Sequence, residues 1–429
     1  MSNVPNRATS LPTLAYIAPE LTGLADTVVY QEIASLEDLG YRVLPFAVHE
    51  PDQPAREAQS IAYRTFVLYR GGRLARAWQS LRAMRRLGVR AWEGFRLVLG
   101  DMHSIGWLDR RAWSLLSHWQ AAARMAPALR EGGCSHIHAH FVHVPTQIAM
   151  YASAMTGIPF TCTAHAHDMF RQGVLLAEKA RRARKLLTIS HYNKAQLEAM
   201  GVDSSLVDVV RCAPDVPLRD AVQARRRTGA YRIGTLGRLV ERKGIDDLLR
   251  ALALLLRSGC APVKLLVAGE GPERLRLQVL ADQLGVHAHV EFVGSVAHHA
   301  VAHWMRSLDL FVAACKADSQ GDVDGIPPAL MEAMALGVPV VSTRISGVPE
   351  LVIDGQTGYL AEPGQPASLA ARIDEAMSSP ERTRSLGSAA RAHVRWEFGR
   401  DLNLRRLVRH FATGEPAGSR PAELDQAAA

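Results

Sequence analysis

Residues 308–343 read LDLFVAACKADSQGDVDGIPPALMEAMALGVPVVST. Leu308–Ala313 and Val338–Ser342 are short apolar runs, and the stretch Pro328–Leu336 between them has the composition of a helix. Uniformly apolar strands joined by a helix belong to a parallel sheet covered on both faces. Within Ile326–Val341 only Glu332 carries a polar side chain. A helix apolar all round is a buried helix, and a carboxylate there is costly unless it finds partners. Either a neighbouring backbone group or Arg satisfies Glu332, or the paired hydroxyls of a ligand such as a ribose do. Eight residues earlier, Asp324 lies in the loop Asp318–Gly325. An Asp before a helix is ordinarily a cap or a solvated turn residue. Here Gly325, Ile326 and Pro327 lead into the helix. Proline suits a first turn, and free backbone N–H groups at Gly325 and Ile326 can face an anion.

The same alternation runs outward in both directions. Downstream of residue 230 it places strands at Tyr231–Leu236, Lys264–Ala268 and Val290–Val293, with helices at Ile245–Arg257, Glu273–Leu284 and Val296–Ser307. Helices near Pro366–Met377 and Pro380–Phe398 follow. Upstream, strands are expected at Thr13–Ala18, Tyr41–Val48, His136–His140, Pro159–Thr163, Lys185–Ile189 and Val207–Arg211. The fold class is therefore α/β: two Rossmann-like domains facing across a cleft, with ligands beyond the carboxyl ends of the strands. A chain of 429 residues suits two such domains. The expected division is a first domain over 1–213, carrying a helical insertion at about 60–131, and a linker over 214–229. A second domain over 230–398, a closing helix over 399–413 and a disordered tail over 414–429 complete it.

Five scattered cysteines without a C-x-x-C spacing point to reduced thiols and a cytoplasmic protein. No apolar run is long enough to span a membrane, and the N-terminus lacks a signal-peptide pattern, so export is not expected. A formal charge of +8 suits an anionic partner. That charge is uneven. Between Arg64 and Arg130 there are thirteen arginines, no lysine and three acids, together with five of the seven tryptophans. Leu74, Trp78, Leu81, Met84 and Leu87 recur at helical spacing, with Arg82, Arg85 and Arg86 on other faces. One reading packs this helix on the first domain. The other lays it on an anionic membrane surface, apolar side down. No nucleic-acid module is present, so nucleic acid is not an expected partner.

The first strand of the second domain ends in Gly237-Arg238, and Lys243-Gly244 opens the following helix. Arg238 and Lys243 thus stand where a diphosphate belongs, the first as a planar fork and the second as a point charge. The loop lacks the G-x-x-x-x-G-K-[ST] pattern of a P-loop. Gly269 ends the next strand as another wall of the site, and Gly294 ends the third near the place of a nucleobase.

In these residues the chain resembles the retaining glycosyltransferases of family 4, which have the GT-B fold. Asp324 and Glu332 match that family's acid–x7–acid motif, and Arg238, Lys243 and Gly244 match its G-R…K-G loop. The wording DVDGIPPALMEAMALGVPVVSTRISGVPELV is similar to the exopolysaccharide and colanic-acid type. The likeness is strongest from 231 to 362. Glu is more usual in the family at Asp324, whereas the exopolysaccharide subgroup has Asp. The resemblance implies that Arg238 and Lys243 stabilise the leaving diphosphate, Glu332 holds the ribose and Asp324 meets the donor sugar. It also implies retention of configuration, no metal and no cofactor, a nucleotide-sugar donor, and a lipid-linked saccharide acceptor at the inner face of the membrane. Oligomeric state is left open.

In the first domain, HIHAHF puts His136, His138 and His140 on one strand face, and the next strand ends in His165, His167 and Asp168. Alternate residues lie roughly 7 Å apart, so three histidines in a row cannot share one ion. A single pair with Asp168 could, which keeps a metal-dependent hydrolase open as a rival. The alternative is that the earlier histidines are packed and hydrogen-bonded. His140 matches a family histidine near the donor sugar, with His165 and Asp168 on the acceptor side. A different nucleotide-sugar enzyme of the same fold, an epimerase or sugar-phosphate transferase, is a second rival. A binding protein without activity is a third.

Overall fold

The computed structural model describes residues 11–21, 27–51, 58–165, 174–213 and 229–411. Residues 214–228 of the expected linker, Asp168 and the expected tail over 414–429 lie outside the described residues. The chain divides into two compact units: residues 1–163 with 178–186 and 404–429, and residues 164–177 with 187–403.

Two sheets carry the described strands. The first contains β1 (Thr13–Ala18), β2 (Arg42–Ala47), β3 (Phe66–Val67), β4 (Cys134–His140), β5 (Phe160–Ala164), β6 (Leu186–Thr188) and β7 (Val207–Val209). Their order is β3-β2-β1-β4-β5-β6-β7. The second contains β8 (Tyr231–Leu236), β9 (Val263–Ala268), β10 (Val290–Gly294), β11 (Leu310–Ala313), β12 (Val340–Thr343) and β13 (Tyr359–Ala361). Their order is β10-β9-β8-β11-β12-β13. The pairings of β1 with β2 and β4, and of β8 with β9 and β11, are parallel. β1 is central, and Leu14, Ala15, Tyr16, Ile17 and Ala18 are buried. In each sheet the winding reverses once, between β1 and β4 and between β8 and β11. Loops leaving the carboxyl ends of two such strands diverge, which opens a crevice at each reversal.

The insertion between β2 and β4 is helical, as its composition suggests, apart from the two-residue edge strand β3. Its long helices are Arg73–Leu87, Val89–Ile105 and Arg110–Glu131. The apolar stripe of the first of these does not face inward as a whole. Leu87 is buried and Met84 half-buried, but Leu74 is 84% exposed and Trp78 71% exposed. The face that packs on helix Arg110–Glu131 instead holds Ser80 and Ala83, with Ser80 Oγ bonded to the carbonyl of Gln120 at 3.1 Å. Arg76 also turns inward, its guanidinium 5.2 Å from the Tyr69 ring centre. Small residues let the helices approach closely, and that geometry overrides the pattern of large apolar side chains. In the second helix Gly94 serves the same purpose: a Cβ there would lie 2.8 Å from Met155. No helix among the described residues is long and apolar enough to cross a membrane.

The closing helix is Arg400–Arg409, and the chain from Leu404 onward belongs to the first unit. Phe411, just beyond it, packs its ring 5.0 Å from His136, 5.3 Å from His138 and 6.3 Å from Tyr16. The histidine face of β4 is thereby covered by the far end of the chain.

Candidate active site

At the reversal point of the second sheet, β8 runs into Gly237 and Arg238. A short 3-10 turn, Glu241–Lys243, then leads through Gly244 to helix Ile245–Arg257. Gly244 has φ +61°, and a Cβ there would lie 1.9 Å from the carbonyl oxygen of Ala314. Glycine alone lets this turn press against the end of β11. A backbone bond from Lys316 N to the Arg242 carbonyl, 3.0 Å, joins the same two segments. Both loops of the reversal point therefore meet, and they meet through charge. Lys243 Nζ lies 2.7 Å from Asp324 Oδ2, and Arg242 Nε lies 2.8 Å from Asp324 Oδ1.

Burial pushes the Asp324 carboxyl up, but Lys243 and then Arg242 outweigh it and hold the group below the usual aspartate value. Arg238 is exposed on the turn, and Glu241 is bonded to Ser319 Oγ. Asp324 thus faces two cations, Arg242 and Lys243, with one carboxylate between them. Arg242 escaped the sequence reading, where it was one charge in VERKG. Its proximity to Asp324 depends on the turn.

Gly237, Lys243 and Pro327 line one small depression with Cys315 and Leu330. Burial drives the Cys315 thiol up to about 12, so it is a neutral wall, not a nucleophile. Ile326 and Pro327 are buried and Gly325 half-buried where they enter helix Pro328–Ala335. On that helix Leu330, Met331, Ala333, Met334 and Ala335 are buried, while Glu332 is half-buried and engaged by other atoms of the chain. Gly269 donates its N–H to the Gly294 carbonyl at 2.7 Å, and a Cβ on Gly269 would lie 1.9 Å from the Gly237 carbonyl oxygen. The ends of β8, β9 and β10 thus close on one another backbone to backbone.

At the reversal of the first sheet, the end of β4 carries His140, which is buried. Its Nε2 lies 3.1 Å from Glu32 Oε1, and the Tyr16 hydroxyl donates to the same oxygen at 2.8 Å. Glu32 sits on helix Thr27–Asp38 and carried no signal in the sequence beyond its place in a helical run. Burial first, then the Glu32 charge, drive the Tyr16 hydroxyl pKa well up, so it stays protonated as a donor.

His136 and His138 share Thr161 Oγ1, at 2.9 and 2.8 Å, and His138 Nε2 meets Thr163 Oγ1 at 3.2 Å. Burial, then Arg184 and His410, lowers His136 to about 3, so it is neutral. Glu32, His138 and His140 are the group of described residues whose ligand atoms, all within 4.8 Å of one another, are close enough to hold a metal ion. An ion there would have to take His138 from Thr161 or Thr163, so the donor set reads as a hydrogen-bonded cluster. His165 directly follows β5 and is half-buried.

Residues 102–216 match the family described as Glycosyltransferase Family 4, and residues 219–393 match Glycosyl transferases group 1. The chain belongs to glycosyltransferase family 4.

Among relatives, this glycosyltransferase is 26% identical to WcaL of Escherichia coli, described as a colanic acid biosynthesis glycosyltransferase. That match covers 81% of this chain and 86% of the relative. It is 34% identical to a GDP-mannose-dependent phosphatidylinositol monomannoside mannosyltransferase of Mycolicibacterium smegmatis, over 47% of this chain and 55% of that one. The chain thus spans little more than half of that second relative. Among solved structures, Anabaena Alr3699/HepE in complex with UDP superimposes with TM-score 0.68 at 18% identity, covering 92% of this chain and 98% of that one. A Rickettsia africae glycosyltransferase gives the same TM-score at 15% identity, with 93% and 97% covered. These neighbours have the GT-B fold, and so does this glycosyltransferase.

One further element supports its charged turn. Lys316 Nζ bridges Asp246 Oδ1 at 2.8 Å and Asp247 Oδ2 at 3.0 Å, at the start of helix Ile245–Arg257. Burial alone would lower the Lys316 pKa, but its bonds to the two aspartates raise it. The bridge ties the segment after β11 to the helix that Lys243 and Gly244 open. In the sequence the two acids show only as a favourable first turn.

Proposed function

We propose that this glycosyltransferase moves a sugar from a nucleotide-sugar to a lipid-linked oligosaccharide, with retention of configuration and without a metal. The pathway would be exopolysaccharide or other cell-surface polysaccharide synthesis, at the cytoplasmic face of the membrane. The observation that carries the reading is the charge cluster at the β8/β11 reversal point. Two cations grip one carboxylate there, and Arg238 is exposed on the same turn. A diphosphate entering this place would meet Lys243, Arg242 and Arg238. Charge that builds on the departing diphosphate is then met by fixed cations, which is electrostatic catalysis. As Lys243 turns to phosphate, Asp324 becomes available to a sugar hydroxyl. Glu332, on the helix that begins four residues later, would take the ribose hydroxyls.

His140 would contact the donor sugar, with Glu32 accepting from its Nε2–H and fixing the ring's orientation. His165 and Asp168 would border the acceptor. The likeness to WcaL supports the polysaccharide setting, and the UDP bound to Alr3699/HepE supports a nucleotide-sugar donor.

The test is a thermal-shift screen of UDP-, GDP- and ADP-sugars, followed by transfer assays with the sugar that binds. At a hundredfold excess over Kd a ligand of the folded state adds about 2.7 kcal/mol of stability. A clear shift with one nucleotide class in the native chain, lost in Lys243→Ala, is the expected result. The same shift in Lys243→Ala would overturn the diphosphate assignment.

A further inference from the structure

The outward turn of the insertion's apolar stripe has a companion. Helices Arg73–Leu87, Val89–Ile105 and Arg110–Glu131 enclose an open groove of about 440 Å³. It is lined by Met84, Val89, Trp92, Phe95 and Trp119, and its charged residue is Arg85. The aromatic rings form a chain, with Trp92 and Phe95 centred 5.8 Å apart and Phe95 and Trp119 5.1 Å apart. Trp92 is 65% exposed and Val89 79% exposed at the mouth. A groove of this size and lining suits one apolar chain of a small molecule.

The surroundings select which one. Arg82, Arg85, Arg86 and Arg90 are exposed on the same two helices. Of the three acids between Arg64 and Arg130, Asp101 is buried against Arg182 and Asp109 is paired with Arg111, leaving Glu93; Glu131, one residue further on, lies 3.9 Å from Arg86. Leu74 and Trp78 continue the exposed apolar surface along the first helix. A second copy of the chain docking here would set arginines against arginines. An anionic amphiphile, by contrast, satisfies both the apolar floor and the basic rim.

We infer that this groove takes a single acyl chain of an anionic phospholipid, its headgroup held by Arg85 and the neighbouring arginines. This rests on the reading that the insertion meets the membrane, and it goes further. The lipid is bound in a defined groove, not merely touched at the bilayer surface. Such a lipid would fix which way the insertion faces the bilayer.

The experiment uses the full-length chain with phosphatidylcholine vesicles, with and without phosphatidylglycerol, whose acyl chains carry bromine as a tryptophan quencher. Trp78 and Trp92 are reachable by any bilayer. Trp119 is half-buried in the groove and is reached by a chain lying in it. The expected result is quenching in anionic vesicles, part of which disappears in Trp119→Phe. That part should also be lost in Val89→Glu, which sets a carboxylate at an exposed mouth position and leaves folding undisturbed. Vesicle flotation without a Trp119 component would overturn the groove while sparing the membrane reading. No flotation would overturn both. Equal quenching in uncharged vesicles, or a dimer in sedimentation that shields Trp119, would also overturn the assignment. Sugar transfer to a detergent-soluble acceptor, unchanged in Val89→Glu, keeps the catalytic reading separate from all four outcomes.

Discussion

Lys243 and Asp324 hold one another at 2.7 Å, and the two residues make opposite demands on an experiment. Removing Lys243 deletes a cation from the proposed diphosphate site and leaves Asp324 paired with Arg242. Lys243→Ala should therefore lower kcat by about 10²–10³-fold, the scale of losing one preorganised charge-stabilising donor. It should also lower Tm modestly. Arg238→Ala should cost comparable activity with no loss of Tm, because that side chain is exposed. Steady-state kinetics beside calorimetry separates the two, and near-normal turnover in both variants would remove the assignment.

Asp324 also sets an acid limit. Its folded pKa lies below the unfolded one, so its contribution to stability is fully present above the ordinary aspartate value of about 3.9. That contribution drains away as the pH falls through the lower folded value. Asp246 behaves likewise: burial raises it, but Lys316 and Arg250 outweigh burial. Asp324→Asn and Asp246→Asn should each flatten the acid side of a Tm-versus-pH curve and leave its neutral side parallel to the native one.

At the scale of elements, the turn after β8 works because glycines stand where backbones touch. Gly269→Ala would drive a methyl into the Gly237 carbonyl, 1.9 Å away, and also requires φ +128° of an alanine. Overpacking of this kind costs about 1–3 kcal/mol, or roughly 2–4 °C of Tm per kcal/mol in a unit of this size. The expected phenotype is a lower Tm together with weaker nucleotide-sugar binding, since the Gly237 end of β8 must shift. A Gly269→Ala protein with native Tm and binding would show that the three strand ends tolerate separation.

The positions of these glycines at strand ends were legible in the sequence, because an apolar run that stops at glycine before a helical run marks where a strand must stop. What each glycine touches was not. Gly244 meets Ala314 across 70 residues of chain, and Gly269 meets Gly237 across 32.

Over the whole molecule, a formal charge of +8 is concentrated in the insertion, with thirteen arginines between Arg64 and Arg130. Replacing Arg82, Arg85 and Arg86 by Gln should weaken flotation with anionic vesicles by about fivefold per arginine and reduce its salt dependence. Identical flotation curves for native and triple variant would remove the insertion from any membrane role.

Two sheets, the insertion and the residues at the strand ends follow from the sequence alone. Periodicity of apolar residues reports which segments are buried, and burial on both faces admits little but a parallel α/β sheet. The acid pair Asp324 and Glu332 stood out because one interrupts an otherwise apolar helix and the other precedes an anion-ready start. Sequence order did not reveal pairings made through space. Arg242 joins Asp324 because Gly244 lets a turn press on β11. Glu32 reaches His140 because the first sheet reverses its winding between β1 and β4. Phe411 covers the histidine face because the last helix returns to the first unit. The outward half of the insertion's apolar stripe belongs with these. Its large side chains have the spacing of a packed face, but the small residues Ser80 and Ala83 allow the closer approach, and close packing decided which face went in.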